Sequence, residues 1–86
     1  MRFVKISRSY LKREPKGYGI FHQWGQEGDQ DGTYPVGIIE DHEGRIDTVP
    51  ADRLQFVGIN KIKEEDPEMA KMLFEKAEQK EKNDNV

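Results

Sequence analysis

The chain has 86 residues, of which 34% are hydrophobic and 36% are charged, and it contains no cysteine. A chain of this size forms one domain with a thin core, and the lack of cysteine excludes a disulfide, a thiolate metal site and a thiol nucleophile. The net charge is −3. No apolar run approaches the roughly 20 residues of a membrane span, and the N-terminus lacks the apolar stretch of a signal peptide. We therefore expect a cytoplasmic protein.

The first predicted strand lies within residues 2–11, where Val4 and Ile6 share one face and Lys5 the other. Residues 12–17 contain strand-breaking residue types, and a second strand follows over residues 18–24. In that second strand, a two-residue period sets Tyr18, Ile20, His22 and Trp24 against Gly19, Phe21 and Gln23.

Residues 25–34 hold three glycines and three acidic residues and show no apolar period. This composition predicts a mobile, exposed loop. Two further strands are predicted at residues 35–40 and 45–49, joined by a hairpin turn in which Gly44 takes a positive φ. Residues 50–53 suit a single 3₁₀ turn, and a last short strand follows over residues 54–57. Five short strands separated by turns favour a small barrel.

The last third of the chain predicts one α-helix over residues 67–80. Asp66 is suited to cap its N-terminus and Pro67 to occupy its first position. Met69, Met72, Leu73 and Ala77 recur at helical spacing along one stripe. We expect this stripe to dock on the barrel. The alternative is a dimer or partner surface, formed by Met69, Met72, Leu73 and Phe74. The expected organisation is therefore a barrel over residues 1–60, an appended helix over 61–82 and a frayed tail over 83–86, with the oligomeric state open.

No residue pattern points to catalysis, a metal or a cofactor. The chain has two histidines and no glycine-flanked serine elbow. His22 is expected to be structural or to contact a partner, and His42 to be solvated at a turn. Residues 29–40 do not match the calcium-binding loop of an EF-hand. The sixth position of that loop requires glycine, whereas this chain has Tyr34 there, followed by Pro35. We therefore predict that the protein is not an enzyme.

Two binding surfaces are candidates. Aromatic residues gather around the second strand, and some of these rings must serve the core. The residues expected to contact a protein partner are Phe21, His22, Trp24 and Tyr34. The alternative is weak nucleic-acid binding through a basic stripe on one face, formed by Arg2, Lys5, Arg8, Lys12, Arg13 and Lys16. Against it, residues 27–52 carry eight acidic residues and one arginine. A third hypothesis, ranked last, is that this acidic segment imitates nucleic acid and inhibits a host enzyme.

A family resemblance adds to this interpretation. The run Val-Pro-Ala-Asp-Arg-Leu-Gln-Phe-Val at residues 49–57 resembles the strand, 3₁₀ turn and closing strand that end an SH3-like barrel. Together, residues 19–25, 36–40 and 52–57 resemble small uncharacterised proteins of phages and mobile elements of Gram-positive bacteria. The resemblance covers about residues 17–57. It implies a fold and an origin, and it implies no biochemical activity.

The sequence thus predicts a mainly β protein, an SH3-like five-stranded barrel followed by one C-terminal α-helix. As a hypothesis, its function is that of a non-catalytic protein-binding or regulatory accessory domain derived from a phage or mobile element.

Overall fold

The computed structural model describes residues 2–7 and 15–84, and for residues 15, 16 and 80–84 it describes the backbone alone. The elements are β1 (Arg2–Ser7), β2 (Pro15–Asp29), β3 (Gly32–Glu40), β4 (Ile46–Pro50), a 3₁₀ turn (Ala51–Arg53), β5 (Leu54–Val57), α1 (Ile59–Glu65) and α2 (Pro67–Asp84). The predicted part of the first strand beyond residue 7, which includes Arg8, lies outside the described residues, and so do Lys12 and Arg13 of the segment that follows it.

The five strands form one antiparallel sheet in the order β4-β3-β2-β1-β5. Strands β1 to β4 pair as successive neighbours, and β5 returns to the free side of β1. The five predicted strands and the 3₁₀ turn are confirmed. Within the described residues the edge strands β4 and β5 are not paired with each other, so the sheet is open and the prediction of a barrel is not confirmed.

The sheet is strongly curved around one face, which we call the concave face. A Cβ atom built on Gly37 in β3 would lie 2.5 Å from Leu54 Cδ1 in β5, although β2 and β1 separate these strands in the sheet order. The curvature encloses the first of two hydrophobic cores. Its buried residues are Val4, Ile6, Phe21, Ile39, Val49 and Leu54.

The opposite face of the sheet carries the two helices. Phe3 and Ile20, which are partners across β1 and β2, pack there against buried residues of both helices. The helical contribution to this second core is Ile62, Ala70, Leu73 and Ala77. Strand β1 therefore buries side chains on both faces at Phe3 and Val4, so it is more buried than the half-buried strand that its alternation predicted.

Helix α2 begins as predicted. The backbone N–H of Met69 donates to the Asp66 carboxylate at 3.2 Å, which confirms the N-cap, and Pro67 is the first helical residue. The helix continues to Asp84, so part of the segment predicted to fray is helical; residues 85 and 86 lie outside the described part of the chain. Helix α1 was missed, because two apolar positions in seven residues give too short a pattern.

Docking of α2 on the sheet is confirmed. Leu73 is fully buried and Met69 packs against the same core. Two of the four residues of the predicted dimer surface, Met69 and Leu73, are therefore already covered by the sheet. Met72 and Phe74 remain exposed.

The prediction of a loop at residues 25–34 is wrong, because these residues extend the β2–β3 hairpin. Strand pairing between β2 and β3 continues from Gly25 and Val36 to Asp29 and Gly32, leaving a two-residue turn. In that turn the N–H of Asp31 donates to the Asp29 carboxylate at 2.8 Å, and Gly32 has a φ of 124°. The side chains are exposed, as composition indicated. Backbone hydrogen bonds between the strands, together with the side-chain hydrogen bond from Tyr34 to Glu27, extend the hairpin. Such polar contacts leave no apolar period in the sequence.

Candidate aromatic binding site

A β-bulge at His22 determines which aromatic rings meet. Phe21 pairs with Ile39 and Gln23 pairs with Ile38, so His22 is the extra residue of β2. An extra residue shifts the two-residue alternation by one position. Phe21 and Trp24 therefore share the concave face, whereas the uninterrupted alternation predicted from the sequence placed them on opposite faces.

Phe21, Trp24 and Phe56 form a compact group that we call the aromatic cluster. The ring centroids of Phe21 lie 4.9 Å from Trp24 and 5.0 Å from Phe56, and those of Trp24 and Phe56 lie 6.0 Å apart. All three pairs meet edge to face, an arrangement that contributes about 0.5–1.5 kcal/mol per pair beyond area burial. Phe21 is 9% exposed, Phe56 37% and Trp24 50%. The buried ring thus holds two partly exposed rings in place.

Arg2 adds a positive charge to this cluster. It is the partner of Phe21 in the sheet, and its guanidinium carbon lies 3.5 Å from the Phe56 centroid and 5.7 Å from that of Phe21. Such cation–π contacts stabilise an exposed site by about 0.5–1 kcal/mol. Among the described residues Arg2 forms no ion pair. Its planar face is occupied, and the edge of its guanidinium remains able to donate hydrogen bonds.

A shallow groove runs beside Arg2 and Phe56. Its volume is about 450 Å³. The residues that line it are Arg2, Phe3, Phe56, Val57, Gly58 and Ile59. A Cβ atom built on Gly58 would meet nothing within 4 Å, so the groove is open at this point. The aromatic cluster, Arg2 and this groove form one continuous surface, because Phe56 belongs to both the cluster and the groove and Arg2 contacts Phe56.

The structure brings together two of the four residues predicted to contact a partner. Phe21 and Trp24 lie in the aromatic cluster. The imidazole Nε2 of His22 instead lies 2.8 Å from Oε1 of Glu40. That carboxylate is 6% exposed and belongs to the helix-facing side of the sheet, where Glu40 pairs with Ile20. His22 therefore serves a buried polar contact.

Tyr34 lies farther along the hairpin. Its hydroxyl donates to the Glu27 carboxylate at 3.3 Å, and its ring borders a separate depression lined by Pro35, Pro50 and Ala51. Desolvation, followed by the Glu27 carboxylate, raises the pKa of Tyr34. Within the described part of the chain, Tyr34 makes no ring contact with the aromatic cluster.

Sequence reasoning missed Arg2 and Phe56 as members of the site. Both lie on the same alternating set as the predicted core, Arg2 with Val4 in β1 and Phe56 with Leu54 in β5. The missing information was the pairing of the first strand with the last, which places Val4 opposite Phe56. An expected SH3-like strand order could have supplied that pairing.

The six residues of the predicted basic stripe do not all share a face. Arg2 lies on the concave face, while Lys5 pairs with Tyr18 in the sheet and points toward the helices. The Lys5 ammonium lies 3.0 Å from the Glu65 carboxylate of α1. Arg8, Lys12 and Arg13, together with the Lys16 side chain, lie outside the described residues.

The charge of Lys5 belongs to a network that ties α1 to the sheet. Glu65 accepts hydrogen bonds from both Lys5 and the Tyr18 hydroxyl. Desolvation and the hydrogen bond to Glu65 raise the pKa of Tyr18 to about 12. The hydrogen bonds from Tyr18 and Lys5 lower the pKa of Glu65. These contacts fix the position of the helix, and they leave Lys5 already paired.

Within residues 2–7 and 15–84 no group of three histidine, aspartate or glutamate side chains is placed to hold a metal ion. Over the same part of the chain, no helix is both long and apolar enough to span a membrane. Comparison of the sequence with protein-family models and curated proteins, and of the fold with solved structures, gives no match. The site geometry is therefore the main basis for a functional proposal.

Proposed function

We propose that this chain is a non-catalytic protein-binding accessory domain whose partner contacts the aromatic cluster. The observation that carries the proposal is the half-exposed Trp24, held edge to face by Phe21 and Phe56. A large ring that is fixed in place loses little conformational entropy on binding, and tryptophan is enriched among the residues that dominate binding energies. Arg2, stacked on Phe56, adds a polar group of the kind that orients a ligand.

A protein ligand accounts for the charges around the site better than nucleic acid does. Glu27, Asp29 and Asp31 follow Trp24 along the same hairpin, where they would repel a phosphate backbone. Lys5, one of the two basic side chains described in the predicted stripe, is paired with Glu65. Nucleic-acid binding therefore serves as the alternative outcome of the test.

We further propose that the curved sheet is an SH3-like barrel. The strand order, the 3₁₀ turn before β5 and the approach of Leu54 to Gly37 support this assignment. A regulatory role and an origin in a phage or mobile element remain part of the proposal, and the origin rests on the sequence resemblance of residues 17–57.

The test is a pull-down from bacterial lysate on the immobilised chain, comparing wild type with Trp24→Ala and Phe74→Ala. Phe74 is the comparison, because it is 48% exposed but lies on α2, in the exposed part of the alternative partner surface. Loss of the partner with Phe74→Ala alone would assign binding to that surface. We expect a discrete protein that survives nuclease treatment, is retained by Phe74→Ala and is lost with Trp24→Ala. Recovery that disappears with nuclease would favour nucleic acid, and equal recovery by all three proteins would exclude the aromatic cluster as the site.

A further inference from the structure

We propose that the aromatic cluster and Arg2 select an extended peptide segment in which a large apolar residue lies two positions from an aspartate or glutamate. The inference rests on the proposed function and names the chemistry of its partner. The apolar side chain packs on Trp24, and the side-chain carboxylate binds the guanidinium of Arg2 from the adjoining groove.

The contacts of the Arg2 guanidinium indicate that the ligand carries a carboxylate. Its guanidinium is stacked on Phe56, is paired with no described acidic residue and borders an open groove beside Gly58. Stacking fixes the plane of the guanidinium and leaves the N–H groups at its edge for a coplanar acceptor. A carboxylate is the side chain that matches this geometry and charge.

The spacing follows from the distances around Phe56. The guanidinium carbon of Arg2 lies 3.5 Å from the Phe56 centroid, and the Trp24 centroid lies 6.0 Å from it. The guanidinium carbon of Arg2 and the ring centroid of Trp24 are therefore at most 9.5 Å apart, the sum of these two distances. In an extended segment alternate side chains lie on one side at about 7 Å intervals, whereas adjacent side chains point to opposite sides. A separation of two positions, about 7 Å, fits within the 9.5 Å limit, whereas a separation of four positions, about 14 Å, exceeds it.

The position of Arg2 sets the direction of the segment. A ligand carboxylate on the β1 side of the aromatic cluster meets the Arg2 guanidinium, which is stacked on Phe56. The acidic residue of the partner is thus directed to the β1 side, and its apolar residue to Trp24 on β2.

The experiment is a selection from a random peptide library displayed between constant flanks, which removes any free C-terminal carboxylate. The full chain serves as the target in five forms: wild type, Trp24→Ala, Arg2→Gln, Arg2→Glu and Arg45→Gln. Arg45 is the matched control, because it is an exposed arginine that pairs with Glu43 and lies outside the aromatic cluster. Circular dichroism confirms that each target is folded.

We expect wild type and Arg45→Gln to enrich peptides with a large apolar residue two positions from an acid. Arg2→Gln should keep the apolar preference and lose the acidic one, and Arg2→Glu should select lysine or arginine at that position. In a selected peptide carrying a fluorophore, glutamate to glutamine should weaken binding to wild type roughly fivefold, an effect that shrinks as salt is added.

Three results would overturn the inference, and they differ in what else they remove. Enrichment on wild type of apolar peptides with no acid rejects the carboxylate, and enrichment of an acid at another spacing rejects the two-position spacing. Either result leaves the proposed function standing if Trp24→Ala abolishes the enrichment. Failure of wild type to enrich any peptide rejects the extended-peptide ligand altogether, and the proposed function is then decided by the pull-down with Trp24→Ala.

Discussion

Leu54 in β5 occupies the space in which a side chain on Gly37 in β3 would stand. The same position is bordered by the Phe21 ring, whose Cε2 would lie 3.2 Å from a Cβ on Gly37. The packing of β5 against β3 across the concave face thus depends on the absence of one methyl group, and the Phe21 ring of the aromatic cluster borders the same point.

Gly37→Ala should destabilise the fold by about 1–3 kcal/mol, because a methyl group there forces Leu54 or Phe21 from its packed position. Gly28→Ala is the control, since a Cβ on Gly28 meets only ordinary contacts, the nearest at 3.5 Å. Urea unfolding of both variants measures the difference. Equal stability of Gly37→Ala and wild type would mean that β5 does not pack on β3 in this way.

Trp24→Ala and Phe21→Ala should separate binding from folding. Phe21 is 9% exposed, and its truncation should cost about 3–5 kcal/mol. Trp24 is 50% exposed, and its truncation should leave the folded circular dichroism spectrum largely intact while it weakens partner binding. Thermal unfolding followed by a binding assay distinguishes the two roles. Loss of the folded spectrum in Trp24→Ala would make this ring part of the core.

The pKa of Glu65 is lowered in the folded state. Ionised Glu65 therefore stabilises the fold at pH values above the ordinary glutamate pKa of about 4.3, and this stabilisation is lost as the pH falls through the lowered pKa. Glu65→Gln should therefore be less stable than wild type at neutral pH, and the two should converge in acid. Unfolding free energies measured across this pH range test the prediction. Glu64→Gln, an exposed neighbour on α1, should track wild type throughout.

The raised pKa of Tyr18 gives a second, alkaline transition. Its stabilising effect is complete below the ordinary tyrosine pKa of about 10 and disappears as the pH rises toward about 12. Ultraviolet absorbance should show one tyrosine ionising last, and Tyr18→Phe should remove that step. Glu65→Gln should move the step to lower pH, because Glu65 accepts the hydrogen bond from the hydroxyl. A step that Glu65→Gln leaves in place would assign the shift to desolvation alone.

Local signals in the sequence predicted much of the fold. Alternation located the strands, Gly44 marked the hairpin turn with its φ of 85°, and the carboxylate of Asp66 marked the start of α2. Each of these features depends on residues near one another in the chain, so the sequence carries them directly.

The candidate site depends on relationships that no local window contains. The bulge at His22 is an irregularity of strand pairing, and it reverses the face on which Trp24 lies. The contact of Arg2 with Phe56 joins residues at opposite ends of the sheet-forming segment. For these reasons Phe21 and Trp24 could be chosen for their chemistry, whereas their companions required the strand order.

Strand β1 divides its side chains between two roles by position. Arg2 and Val4 face the concave side, while Phe3 and Lys5 face the helices. Substitutions at alternate positions of this one strand can therefore change ligand preference and helix attachment separately. A lineage or a designer could retarget the domain through Arg2 while leaving its supporting layer untouched.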